Sequence, residues 1–201
     1  QYEKALDEKF PAWTRLTALW SLGRMEEATL LAWERANSGE DVAMPIALFA
    51  NSGQAEKAIQ YFEERWDNLA DFEKDVPLLG GGLNDMLDVA FAYGTVGNEE
   101  RFNEAMERTR VALDSLDELG FNNPQLTFSR AVFFTMAGDR EKALGLLAQS
   151  IDSGYVNGTE LAAGWSALDV LKGEPEYQAI EDRMIEHLNR VRAELGLEQL
   201  T

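Results

Sequence analysis

The sequence predicts an all-α protein in which pairs of helices repeat along the chain. A short phrase, glycine followed three residues later by glutamate, occurs four times, each time between two apolar stripes with helical spacing. Strand-like alternation of apolar and polar residues is nearly absent. Such units cannot bury their apolar faces alone, so we expect antiparallel helix pairs that stack into a solenoid. The four phrases begin at Gly23, Gly53, Gly97 and Gly138.

The first stretch of the chain has the pattern of a helix that is already ending. Residues 1–10 fit the last turns of a second repeat helix, and Pro11 then terminates it. The chain starts with Gln1 and not with methionine. We therefore expect it to be a fragment of a longer protein that carries further modules before Gln1.

Each repeat is built on the same plan. Residues eleven, eight, seven and four before the glycine share one face of the first helix. The glycine permits the left-handed backbone of a tight turn, and the glutamate lies in the first turn of the second helix. A small or apolar residue five positions after the glycine lets the two helices approach closely. These residues are Ala28, Ala58, Phe102 and Ala143.

The glycines are spaced by 30, 44 and 41 residues, so the units are irregular. A loop over residues 76–82, ending in Gly80-Gly-Gly82, accounts for much of the 44. It lacks the Lys-Ser/Thr ending of a phosphate-binding loop, so we expect no nucleotide there. The 41-residue spacing between the third and fourth glycines indicates a long helix from near Glu99 to Leu119, ended by Gly120.

After residue 155 the pattern changes to a short apolar turn and one long amphipathic helix. Pro175 starts this helix. We assign residues 1–155 to the repeats, the first of them truncated, and residues 156–201 to a closing turn and a capping helix that covers the end of the stack. The apolar stripe of the capping helix is Tyr177, Ile180, Met184, Leu188, Val191 and Leu195.

Several of these features resemble the tetratricopeptide repeat family, whose unit is a helix pair of about 34 residues. The resemblance rests on Ala58-x3-Phe62, on Ala143-x3-Leu147, on Tyr2-x2-Ala5 before Pro11, and on the aromatic residues Phe49, Tyr93 and Phe134 four positions before a glycine. The first-helix tryptophan and the Leu-Gly pair of the family are absent from their usual places. The resemblance implies degenerate repeats in a right-handed superhelical solenoid.

The closing segment is similar to the tail of many bacterial repeat regions. Its leucines, Gly173, the acid-proline pair and Tyr177 carry this likeness. Such regions are often attached to winged-helix transcription regulators or to nucleotide cyclases. The resemblance implies a regulatory part of a larger bacterial signalling protein.

The composition excludes several classes of function. The net charge is −18, which repels nucleic acid and anionic membranes, and no apolar run approaches the roughly 18 residues that cross a bilayer. The chain has no cysteine and one histidine, His187, so neither a zinc site nor a cysteine or Ser-His-Asp nucleophile is expected. We predict that the protein is not an enzyme and binds no cofactor or metal.

The candidate binding site follows from the repeat geometry that the resemblance implies. Residues ten, six and three before each glycine should line a concave face, and this stripe carries aromatic residues but no charge. We predict a groove for an apolar peptide or an amphipathic helix. The alternative is that the stripe packs internally, against the chain's own loops or its final helix. The residues we select for the groove are Trp13, Thr17, Trp20, Ala47, Leu87, Phe91, Phe128 and Val132.

Three functions are compatible with this site. The first is a non-catalytic protein-interaction scaffold for a partner of apolar or basic character. The second is a sensor domain that closes around a small molecule or a signalling peptide in a deep pocket. The third is a dimerisation module that forms a homodimer through the exposed stripe or the last helix. The compartment stays open, with the cytoplasm favoured over the periplasm.

Overall fold

Helices account for all the regular structure in the described part of the chain, so the predicted all-α class is confirmed. The structure is a computed structural model and describes residues 6, 7, 9–155 and 165–194. Within these ranges, 3-10 helices cover Leu78–Gly80 and Ser166–Leu171 and no strand occurs. The α-helices are α1 Ala12–Ser21, α2 Met25–Asn37, α3 Met44–Asn51, α4 Ala55–Arg65, α5 Leu69–Asp75, α6 Leu83–Thr95, α7 Glu99–Glu118, α8 Pro124–Met136, α9 Arg140–Asp152 and α10 Pro175–Glu194.

The repeated glycines end helices in the predicted way. Gly23 has a φ of 71°, and the N–H of the next residue, Arg24, donates to the carbonyl of Leu19 at 2.9 Å. This long-range bond satisfies a carbonyl that the helix end leaves free, and only a left-handed residue lets the chain make it. The same bond, also at 2.9 Å, closes the turns at Gly53, Gly97 and Gly138.

The chain divides into two compact units, residues 1–112 and residues 113–201, and the boundary falls within α7. In the first unit α1 packs on α2, and α3 packs on α4. Helix α3 also contacts α2 and α6, and α4 contacts α6. Because α3 touches three neighbours, all eight of its residues are buried.

An aromatic cluster forms part of the core of the first unit. Neighbouring rings in it lie 4.9 to 6.0 Å apart between centroids, the spacing at which edge-to-face pairs stabilise a core. Trp66 also donates its indole N–H to Asp75 at 2.8 Å, and Tyr61 donates its hydroxyl to the carbonyl of Val42 at 2.8 Å. The cluster consists of Trp33, Tyr61, Phe62, Trp66, Phe72 and Tyr93.

Helix α5 was not predicted from the sequence. It lies in the connection between the second and third repeats. The Asn68 side chain caps it by accepting from the N–H of Asp71 at 3.0 Å. Leu69 and Phe72 are fully buried, which ties this two-turn helix to the core. The long interval between Gly53 and Gly97 therefore contains a helix as well as the glycine-rich loop.

The second unit is built around α8 and α9, which pack on each other. Asn123 caps α8 through the N–H of Leu126 at 2.8 Å, and Ser150 of α9 donates to the carbonyl of Pro124 at 2.7 Å. Helix α10 packs on α9 with Tyr177, Ile180 and Met184.

The stripe predicted for the capping helix is only partly buried. Its first three residues are buried, whereas Leu188 is half-buried and Val191 is 39% exposed. Leu195, like the opening residues 1–5 and the segment 156–164, lies outside the described residues.

Candidate functional site

Helix α1 carries the first three predicted groove residues on one face. Trp13 and Trp20 are seven positions apart, so their side chains emerge two helical turns apart in the same direction. Trp13 is 40% exposed, and Trp20 is half-buried where it packs against the cluster that includes Leu16 and Leu48. Thr17 lies between the tryptophans, is buried, and donates its hydroxyl to the carbonyl of Trp13 at 3.0 Å.

Ala47 and Leu87 are interior residues of the first unit. They are 3% and 0% exposed, on the two helices α3 and α6, which pack together. In the same region Asn51 of α3 donates to the buried carboxylate of Asp88 of α6 at 2.6 Å. The two predicted groove residues are thus closed to a partner by the packing of these helices.

Phe91 remains partly accessible on α6 and is half-buried. The ring of Phe102 covers the nearby Gly94 so closely that an added Cβ there would lie 3.0 Å from it. The predicted close approach after the third turn is therefore real, but at this turn the large side chain comes from α7 and the small residue from α6.

Phe128 and Val132 are also interior, in the second unit. Both are 0% exposed. The Phe128 ring lies 5.1 Å from that of Tyr155 and 6.2 Å from that of Trp165, measured between centroids. The chain returns over α8 with the 3-10 helix Ser166–Leu171, which packs on it. The side chains of Phe128 and Val132 are therefore packed inside the second unit and do not line an open groove.

Solvent thus reaches the side chains of Trp13, Trp20 and Phe91 among the eight predicted residues. The other five are Thr17, Ala47, Leu87, Phe128 and Val132, and all of them are buried. Counting back from the glycine selects residues that share a helical face, but it does not show whether another element covers that face. The accessible part of the predicted stripe lies entirely in the first unit.

A second surface of the first unit was not selected from the sequence. It is a groove of about 400 Å³ along the outer side of α4, with Val96 of the turn between α6 and α7 at its edge. Ile59 and Val96 supply apolar surface, and three glutamates surround them. The lining residues are Glu56, Ile59, Gln60, Glu63, Glu64 and Val96. The sequence does contain a signal for this surface. Ile59 follows Glu56 by three residues and precedes Glu63 by four, so the three side chains share one face of α4.

Another groove, of about 520 Å³, follows α10. Ile185 is 36% exposed beside it. Both acidic and basic side chains line it: Asp182 and Glu186 are negatively charged, and Arg190 is positively charged. This mixed lining selects no charge type for a ligand.

One carboxylate of the first unit is electrostatically unusual. Burial, with the nearby Asp41 carboxylate, raises the pKa of Asp85 to about 6. Asp41 itself is held by Arg35, whose guanidinium donates to it at 2.9 Å and also pairs with Glu40. Asp41 has a φ of 47°, so this acidic loop has a left-handed backbone at a residue other than glycine.

Among the described residues, no group of three or more His, Asp or Glu side chains is placed to hold a metal ion. No helix within the same ranges combines the length and the apolar character needed to cross a membrane. Comparisons with protein-family models, with curated proteins and with solved structures gave no match.

Proposed function

We propose that this chain is a protein-interaction module that binds an apolar peptide or an amphipathic helix on the α1 face formed by Trp13 and Trp20. The supporting observation is that Trp13 is exposed and Trp20 partly exposed on a helix that contains no acidic residue, in a protein with a net charge of −18. Tryptophan is enriched among the residues that dominate binding energy. An uncharged aromatic face is suited to an apolar partner.

The exposed area of Trp13 sets the gross hydrophobic gain that a partner obtains on this face, before the entropic cost of association. A tryptophan buries about 150 to 250 Å² when it is fully covered. With 40% of Trp13 exposed, covering it would remove on the order of 80 Å² from water, which contributes about 2 kcal/mol. Phe10, 37% exposed just before α1, enlarges the apolar area.

The proposal includes a repeat-like architecture for the helices around this face. In residues 12–95, α2 contacts the next first helix, α3, and α3 contacts the next, α6. This order of contacts is the one expected when hairpins stack side by side. We propose that these hairpins form a solenoid of the tetratricopeptide type with a right-handed twist, and that first helices such as α1 and α6 present its binding face.

The experiment uses peptides selected from a random library displayed on phage, with the whole chain as bait. Trp13→Ser should weaken the best selected peptide by about 30-fold, since a central tryptophan contributes about 2 kcal/mol or more. The matched control is Leu30→Ser, which removes an apolar side chain that is 60% exposed on α2. Calorimetric titration measures both affinities, and circular dichroism checks that both variants keep their helices.

Selected peptides that bind the Trp13→Ser variant as tightly as the original chain would contradict the proposal. Equal weakening by the Leu30→Ser control would also contradict it, because the effect would then reflect general loss of apolar surface.

A further inference from the structure

We infer that the α4 groove is a second docking surface, and that it takes a basic amphipathic helix of a partner protein. This surface is separate from the α1 face, and the inference does not depend on the function proposed for that face. Its lining combines the three glutamates Glu56, Glu63 and Glu64 with the apolar side chains of Ile59 and, at the edge, Val96.

The carboxylates of the groove are not neutralised by the chain itself. Among the described residues no lysine or arginine forms an ion pair with any of the three glutamates. Their contacts are with neutral groups: Gln60 donates to Glu64 at 2.8 Å, and the hydroxyl of Tyr93 lies 3.4 Å from Glu63. The negative charge of the groove therefore remains available to a partner.

The cations of α4 are engaged elsewhere. Lys57 donates to Gln54 at 2.7 Å, and its ammonium lies 5.8 Å from the ring centroid of Phe49. The guanidinium of Arg65 lies 5.4 Å from the ring centroid of Trp66. Neither cation lines the groove, and each has a cation–π contact with a ring outside it.

Charge complementarity selects the occupant. Carboxylates around an apolar strip attract a surface that carries lysine or arginine around an aliphatic residue. Nucleic acid and anionic lipid have the wrong sign. A second copy of this chain carries the same net charge of −18 and would be repelled. A basic polypeptide remains as the class that matches both features.

The spacing of the glutamates indicates which peptide shape fits. Glu56 and Glu63 are seven residues apart, which is about 10 Å along a helix axis. A partner helix lying along α4 presents cations at the same interval when its lysines or arginines are also seven residues apart. An aliphatic residue midway between them then faces Ile59. This pattern is helix-in-groove recognition with acidic anchors.

The test uses a labelled helical peptide of about 15 residues, with lysines two turns apart and leucine between them. Fluorescence anisotropy measures its binding to the whole chain and to the triple variant Glu56→Gln, Glu63→Gln, Glu64→Gln. We expect this variant to weaken binding about tenfold or more. The matched control removes three exposed carboxylates elsewhere, with the changes Glu34→Gln, Glu118→Gln and Glu194→Gln, and should change the affinity less than about twofold.

Location is tested separately, which the absence of native cysteine makes simple. A photo-crosslinker attached to Val96→Cys should capture the peptide, whereas the same reagent on Leu30→Cys of α2 should not. Both positions are well exposed, at 40% and 60%.

Three results would overturn the inference. The first is equal weakening by both triple variants, because the peptide would then respond only to total charge. The second is binding of a scrambled peptide of the same composition as tightly as the amphipathic one. The third is crosslinking at both labelled positions alike.

Discussion

Two glycines of the second unit, seven residues apart, have different backbone conformations. Gly138 has a φ of 82° and makes the turn between α8 and α9, whereas Gly145 lies inside α9 with ordinary helical backbone. A Cβ added at either position would meet no heavy atom within 4 Å. Only the backbone conformation distinguishes the two sites, which isolates the effect of left-handed geometry.

The Gly138→Ala change should therefore destabilise the protein by about 1 kcal/mol, since alanine is strained in the left-handed region. Gly145→Ala should stabilise it by about 0.5 to 1 kcal/mol, because glycine in a helix interior costs that much relative to alanine. Urea unfolding of the two variants, each the control of the other, measures both effects. A Gly138→Ala change that stabilises the protein, as Gly145→Ala is expected to do, would show that the turn glycine has no conformational requirement.

At the scale of helices and loops, the start of α6 meets an acidic loop. Asp85 lies in the first turn of α6 and is half-buried, and Asp41 belongs to the loop between α2 and α3. Burial first, and then the Asp41 carboxylate, raise the pKa of Asp85 to about 6. The pKa of an aspartate in the unfolded chain is about 3.9, so the folded state binds this proton more tightly.

Ionised Asp85 therefore lowers the free energy of unfolding above pH 6 or so, and this penalty disappears as the pH falls from about 6 to about 4. Asp85→Asn removes the penalty and should stabilise the protein by about 1 to 2 kcal/mol at about pH 8, with little effect at about pH 4. Urea unfolding at both pH values measures the difference. The control is Glu34→Gln, an exposed acid of α2, and a pH dependence shared by both variants would contradict the assignment.

The turns and most helices could be predicted from the sequence because their signals are local. Gly97 and Gly120 bracket α7 almost as predicted, since a left-handed glycine closes a turn with bonds to residues just before it. Helix α5 has only Leu69 and Phe72 on its buried face. Two apolar residues are too few to establish a helical period, so the capping residue Asn68 was the one clear local signal of this helix.

The candidate site was harder to predict than the fold because accessibility depends on distant residues. Phe128 is covered by Tyr155 and Trp165, which follow it by 27 and 37 residues. Ala47 and Ala50 lie on the same helix, and such small side chains are compatible with an open face and with a close helix contact alike. The helical period alone assigns Trp13 to a face of α1, whereas its 40% exposure is known only from the folded structure.

At the scale of the whole molecule, the net charge of −18 sets the response to salt. Repulsion among like charges opposes the folded state, and salt screens it over a shorter distance as concentration rises. The exposed ion pairs oppose this trend only weakly, because such pairs contribute little. The acidic balance should therefore make the protein more stable in salt.

The melting temperature should rise by about 3 to 6 °C between about 20 mM and about 500 mM sodium chloride. Differential scanning calorimetry measures the shift. A variant with three exposed glutamates changed to lysine, E26K, E118K and E141K, should show a smaller rise because less repulsion remains to be screened. A melting temperature that falls with salt would show that ion pairs outweigh the net charge.

The aromatic contact that covers α8 makes the packing of the second unit measurable by tryptophan fluorescence. Trp165 is the sole tryptophan of residues 113–201, and the other four belong to residues 1–112. It is buried against Phe128, where loss of packing would shift its emission to longer wavelength. A chain that keeps Trp165 and has phenylalanine at positions 13, 20, 33 and 66 would carry a natural optical reporter for the second unit alone.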